Sequence, residues 1–114
     1  MIFVYFTREE FACKCGCGRN EIPDSFIQDM DELREACGFP LTINSGWRCE
    51  NHPKEAAKER PGQHNYAAAD IKSYNGGQLY IIQQKAFELG FNGIAAGKGF
   101  VHVDNRAKKT SWVY

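Results

Sequence analysis

An excess of charge of either sign is missing from this sequence. Lys and Arg number 14 and Asp and Glu number 14 in 114 residues, a formal net charge of zero. That balance gives no support to nucleic acid or an anionic membrane as the main partner. No apolar run approaches the roughly 20 residues that a membrane-spanning helix needs, so no membrane insertion is expected. The opening stretch Met1 to Glu10 is apolar for only five residues and has no basic lead-in. It does not read as a secretory signal, and the expectation is a chain made in the cytoplasm that stays there unless another agent releases it. Internal repeats, low-complexity tracts and linkers are also lacking. One domain over residues 1–114 is expected, long enough to bury roughly two-thirds of its unfolded surface. Nothing in the pattern asks for a partner subunit, and a monomer is expected.

Cysteine is plentiful instead. Three of the five are crowded into Cys13-Lys-Cys15-Gly-Cys17, with Cys37 and Cys49 distant in sequence. An odd count without an export signal argues against a full disulfide framework. The cluster departs from the two-residue gap of zinc knuckles and ribbons, so reduced thiols are the favoured reading, some buried as small hydrophobes and some lining a turn with Gly16 and Gly18. A structural zinc held with Cys49, or one disulfide in an oxidising medium, are the other readings.

The apolar spacing predicts an α+β domain: a small, mainly antiparallel sheet with two helices on one face. Phe26, Ile27, Met30, Leu33 and Cys37 follow helical spacing between Pro23 and the stop at Gly38 and Pro40. Leu79, Ile82, Ala86 and Leu89 form a second stripe from Gln78, closed by Gly90. Short strands are expected in the first ten residues, at 41–45, 67–72, 92–96 and 100–105, and at 111–114. Residues 48–65 are polar, with Pro53, Pro61 and Gly62, and read as a long surface loop with a helical turn at 54–59.

The segment Phe100-Val-His-Val-Asp-Asn-Arg106 alternates with period two. As a strand it sends Phe100, His102 and Asp104 to one face and gives Val101 and Val103 to the core. An imidazole and a carboxylate side by side on a rigid element suit a metal site if other ligands arrive from elsewhere. A second such pair lies in Gln63-His-Asn-Tyr-Ala-Ala-Ala-Asp70. His64, Asp70 and His102 together match the ligand chemistry of a catalytic zinc with one position open for water. His52, in the polar loop, reads as a surface histidine.

The order of features carries more than any one of them. Glu10-Phe-Ala-Cys-Lys-Cys-Gly-Cys-Gly18, Ile43-Asn-Ser-Gly-Trp-Arg-Cys49, Gln63-His64 through Ala-Ala-Asp70-Ile, Gly90-Phe-Asn-Gly-Ile94, Phe100 to Arg106 and Trp112 follow one another along nearly the whole chain. This series resembles the zinc D-alanyl-D-alanine carboxypeptidases and L-alanyl-D-glutamate endopeptidases that trim bacterial peptidoglycan, in the small phage-type (VanY-like) branch. The resemblance implies the fold shared with the hedgehog signalling domain, a Zn2+ cofactor, peptidoglycan stem peptides as substrate and a phage or prophage role in cell-wall lysis or remodelling. It places His64, Asp70 and His102 as the zinc ligands. It places Arg48 as an arginine that contacts substrate or the charge of the transition state, in keeping with a permanently cationic fork.

Three positions depart from the family pattern. The step from His64 to Asp70 is one residue shorter than usual, with Ala67 where glycine is common. Gly62 replaces a serine. Gly99 occupies a position where several relatives carry an acidic general base. Asp104 is then the candidate base, or else the carboxylate that orients an imidazole. Ser45 could position a substrate carbonyl or cap a turn. Arg106 could bind a substrate carboxylate or neutralise Asp104. Trp47, Tyr66, Phe100 and Trp112 read as core and rim packing. The rival reading is a zinc-stabilised binding or structural module that kept the fold without catalysis.

Overall fold

Alternation decides which side of each strand meets the helices, and one face of a five-stranded sheet results. The computed structural model describes residues 3–56 and 62–114. The strands are β1 (Ile43–Ser45), β2 (Ala68–Lys72), β3 (Gly93–Gly97), β4 (Phe100–Asp104) and β5 (Thr110–Val113). Their order across the sheet is β1-β2-β4-β3-β5. All neighbours pair antiparallel except β3 and β5, which run parallel. The expected α+β class, with a mainly antiparallel sheet and two covering helices, is what the chain forms.

Two helices of 14 residues, α1 (Asp24–Cys37) and α3 (Gly76–Leu89), cover the inner face; a single turn, α2 (Pro53–Ala56), lies between them in sequence. Both long helices end on a left-handed glycine, Gly38 at φ 75° and Gly90 at φ 88°, a conformation that costs other residues free energy. At its start α3 is capped by the Asn75 side chain, which accepts from Gln78 N–H at 2.9 Å. Phe26, Ile27, Met30 and Leu33 of α1 and Ile82 and Ala86 of α3 meet Ile71, Val101 and Val103 in the core. Leu89 departs from the expected stripe: it is exposed at the helix end.

The first residues do not form the expected strand. The Val4 and Tyr5 N–H groups donate to the Asp31 carboxylate of α1, at 2.7 and 2.9 Å. A 3₁₀ turn follows over Arg8–Phe11, opened by a bond from Thr7 N–H to Glu10 Oε1. With its donors taken by side chains, this segment has no ladder to offer a sheet edge. Phe6 and Phe11 are buried instead, edge to face at 5.3 Å. Phe11 O accepts from Trp47 N–H at 2.8 Å, which ties the N-terminal segment to the chain leaving β1.

The loop after β1 is less superficial than its polarity suggests. Trp47, Arg48, Cys49 and His64 are all buried. Of the helical turn expected at 54–59, the part described is Pro53–Ala56; residues 57–59 lie outside the described residues. No described helix is long and apolar enough to cross a membrane.

Candidate metal centre

The site forms on the sheet face opposite the helices. Because Val101 and Val103 are drawn into the core, His102 is forced to the other side of β4. Strand register does the rest. Ser45 pairs with Asp70, Asp70 with His102, His102 with Ala95, and Ala95 with Trp112. These five residues form one row across all five strands, so the carboxylate of Asp70 stands directly beside the His102 ring. An irregularity in β1 between Ile43 and Ser45 lets Ile43 serve the core while Ser45 joins this row.

His64 arrives from a 3₁₀ turn, Gln63–Asn65, that leads into β2. Its Nδ1–H donates to the Gly46 carbonyl at 2.7 Å. A carbonyl only accepts, so this bond fixes the tautomer and leaves the Nε2 lone pair facing Asp70 Oδ1 at 3.3 Å. The peptide next to Gly46 is held as well, since Arg48 N–H donates to His64 O at 2.7 Å. The short step from His64 to Asp70 is absorbed in the turn, and Asp70 is not carried away from the histidines.

His102 has a carboxylate at each ring nitrogen. Nε2–H donates to Asp104 Oδ2 at 2.6 Å, and Nδ1 lies 3.0 Å from Asp70 Oδ1. A gap of 2.6 Å admits a proton but no metal, so Nδ1 is the nitrogen available for a ligand. Three lone-pair atoms thus converge: His64 Nε2, Asp70 Oδ1 and His102 Nδ1. The ligand atoms of the three residues all lie within 4.8 Å of one another. With neutral imidazoles, only a cation makes that arrangement favourable. Ligand bonds of 2.0–2.1 Å in a tetrahedral site set neighbouring ligand atoms about 3.3 Å apart, close to the observed spacings. The residues present therefore fit a divalent metal.

Charge around the centre is held by its neighbours. Burial pushes Asp70 upward, yet His102 and His64 beside it, where they carry a proton toward it, outweigh burial and keep its carboxyl well below the usual carboxylate range. Burial would lower His102, but Asp104 and Asp70 outweigh it and raise its pKa. Asp104 is fully buried. Arg106 grips it with Nε on Oδ1 at 2.9 Å, Nη2 on Oδ2 at 2.6 Å and its backbone N–H on Oδ1 at 3.0 Å. Burial pushes this carboxyl up as well, and Arg106 and His102 more than offset it. Arg106 in turn stacks over Trp112 at 4.3 Å.

Of the two expectations for Asp104, general base or orienting carboxylate, the geometry is that of the second. Both its oxygens are occupied, and it touches the far side of His102 rather than the cleft. Its position is that of a carboxylate orienting an imidazole. Arg106 acts on Asp104 first, and a substrate carboxylate would have to compete with that fork. Gly99 is equally informative. It sits in the two-residue turn between β3 and β4 at φ 78°, where an acidic side chain would be strained. Among the described residues lining the cleft, Asp70 is the only carboxylate.

The cleft itself has a volume of about 380 Å³. Arg48, His64, Asp70 and His102 line its floor side, and Phe100, Trp112 and Tyr114 contribute aromatic walls. Arg48 is buried, with Nε donating to Ser45 Oγ at 3.0 Å and Nη2 3.4 Å from Asp70 Oδ2. Ser45 thus positions the arginine. Trp47 belongs to the core, as expected, whereas Tyr66 is exposed and lies outside the cleft lining.

Sequence reasoning passed over Gly93 and Gly46. A Cβ on Gly93 would lie 2.1 Å from Asp104 Oδ1, and one on Gly46 would lie 2.6 Å from the Phe11 backbone. Gly93 leaves space for the carboxylate that orients His102, and Gly46 leaves space for the Phe11 backbone that is bonded to Trp47. Gly93→Ala is expected to displace the Asp104 carboxylate and weaken metal binding at His102 by roughly 10–100-fold, the usual effect of losing an orienting partner. Competition with a chromophoric chelator measures it.

A pair of imidazoles and a carboxylate at an open cleft is the donor set of metal-dependent hydrolases. The family model described as Peptidase M15 matches residues 4–104. The chain therefore belongs to the peptidase M15 family, the family of zinc D-alanyl-D-alanine carboxypeptidases and VanY-like peptidases. A search of curated proteins returned no match.

Proposed function

We propose that the protein is a zinc peptidase that hydrolyses peptide bonds in peptidoglycan stem peptides. The observation that carries this reading is the convergence of three potential ligand atoms, from His64, Asp70 and His102, all within 4.8 Å of one another at the cleft. These residues would hold the zinc ion. When bound, it supplies Lewis acidity toward a scissile carbonyl and lowers the pKa of a water.

The chain's own residues supply the remainder. Gly46 O holds a proton on His64 Nδ1 and Asp104 holds one on His102 Nε2, so His64 Nε2 and His102 Nδ1 are the ring nitrogens turned toward Asp70 for a ligand. Arg48, held by Ser45 and beside Asp70, offers a permanent cation to an oxyanion or to a stem-peptide carboxylate. Phe100, Trp112 and Tyr114 form walls against which an extended peptide can pack. Zero net charge and a site confined to one sheet fit a monomer with no nucleic-acid partner. Action on the cell wall after release from the cytoplasm, in phage or prophage lysis or in remodelling, fits the substrate class.

Arg48→Ala is expected to lower turnover by about 10²–10³-fold, the range for removing one oxyanion donor, with zinc retained and Arg48→Lys recovering part of the loss. Steady-state kinetics beside zinc analysis measures this. The reading as a whole is tested by incubating the zinc-loaded protein with purified peptidoglycan and identifying released fragments by mass spectrometry. New termini in the stem peptides are expected, and the fragments name the bond as D-Ala-D-Ala or L-Ala-D-Glu. The lack of a second carboxylate among the described residues lining the cleft favours one rival: a zinc-stabilised binding module. Zinc bound without any cleavage would establish that rival and overturn the peptidase.

A further inference from the structure

Four cysteines outside the cleft lining come together in space. Cys13 Sγ lies 3.4 Å from Cys15 Sγ and 3.6 Å from Cys49 Sγ, and Cys15 Sγ lies 3.3 Å from Cys49 Sγ. With Cys17 included, all four sulfurs fall within 4.8 Å of one another. Zinc–sulfur bonds of about 2.3 Å in a tetrahedron place the sulfurs about 3.8 Å apart. The observed spacings are near that edge and well beyond a disulfide bond of about 2.05 Å. We propose that Cys13, Cys15, Cys17 and Cys49 form a structural zinc site, separate from and independent of the histidine centre.

Simple burial of small hydrophobes does not explain the cluster. Cys13 and Cys49 are buried, but Cys15 and Cys17 are exposed and fill no core. The local backbone is shaped for sulfur instead. Gly16 at φ 92° and Gly18 at φ 72° both take the left-handed conformation, so the chain turns sharply on either side of Cys17. Cys49 N–H donates to Cys13 Sγ at 3.4 Å, and Arg19 N–H donates to Cys17 Sγ at 3.4 Å. Backbone N–H groups directed at sulfur stabilise thiolates, the form that ligates metal. The one-residue gaps between Cys13, Cys15 and Cys17 depart from the spacing of a zinc knuckle and are made workable by these glycines and by the distant fourth ligand.

Such a site would act as a staple. Cys49 follows Arg48 directly, and Trp47 N–H is already bonded to Phe11 O. A metal joining Cys49 to the 13–17 turn would fix both ends of the segment that carries Gly46 and Arg48 to the cleft. Free energy of metal binding would thereby be added to folding, as in other small domains with a modest core.

The test is metal analysis of the full chain, purified under reducing conditions from zinc-supplemented medium. Two zinc ions per chain are expected in the wild type. Cys15→Ser and Cys17→Ser, at exposed positions, should each leave one, as should His102→Ala, while Cys37→Ser should retain both. A second measurement does not depend on any cysteine variant folding. Cobalt(II) added to metal-free wild type should give thiolate-to-cobalt charge-transfer absorption that persists in His102→Ala. Zinc content unchanged in Cys15→Ser and Cys17→Ser, or no thiolate-to-cobalt band in the wild type, would overturn the site and leave the histidine centre unaffected.

Discussion

His102→Ala is expected to empty the cleft of its metal and abolish peptide hydrolysis, while the sheet still forms. Three lone-pair atoms converge at the centre, and the substitution removes the one supplied by Nδ1. Two ligands on separate elements do not hold zinc firmly, since catalytic zinc sites rely on three from the protein. The backbone of β4 is secured independently by its ladders to β2 and β3 and by Val101 and Val103 in the core. Circular dichroism should therefore remain close to wild type. Elemental analysis should show a loss at the cleft only. Full zinc retention would mean that the metal is held elsewhere.

The second large effect is expected for Asp104→Asn, and it separates two roles. An orienting carboxylate affects binding, so metal affinity should fall by roughly 10–100-fold, with turnover recovered once zinc is saturating. A general base affects the reaction itself, and turnover would then stay depressed at any zinc concentration. Stability should also drop by up to about 3 kcal/mol, the low end for breaking a buried ion pair, because Arg106 is partly solvated and an amide oxygen can still accept from it. The pH dependence carries a sign. In the fold Asp104 is held below the usual carboxylate range. Its contribution is thus complete above the unfolded value near 4, and it is lost as pH falls toward the lower folded value. Denaturant titrations across that interval should show less acid-side loss in Asp104→Asn than in the wild type.

Much of this arrangement was legible because periodicity is a local property. The alternation from Phe100 to Asp104 placed His102 and Asp104 on one face and two valines in the core without reference to any other element. The helical stripes at Phe26 to Leu33 and around Ile82 and Ala86 likewise needed only their own spacing. What escaped depended on contacts between distant segments. Nothing near Val4 or Tyr5 announces that Asp31 takes their N–H groups, so an apolar run looked like a strand. The division of labour between Asp70 and Asp104 at the two nitrogens of His102 is set by strand register and by Arg106, not by composition. The convergence of four cysteines escaped for the same reason: one-residue gaps look unsuitable until Gly16 and Gly18 turn the chain and Cys49 arrives from another loop.

The central claim is that His64 Nε2, Asp70 Oδ1 and His102 Nδ1 hold the catalytic metal. Crystals of protein grown with zinc, measured on both sides of the zinc absorption edge, test it most directly. An anomalous peak among those three atoms, with Asp104 bonded to His102 Nε2 behind it, is the predicted result. No peak there, or a peak on His102 Nε2 with Asp104 as its neighbour ligand, would contradict the account.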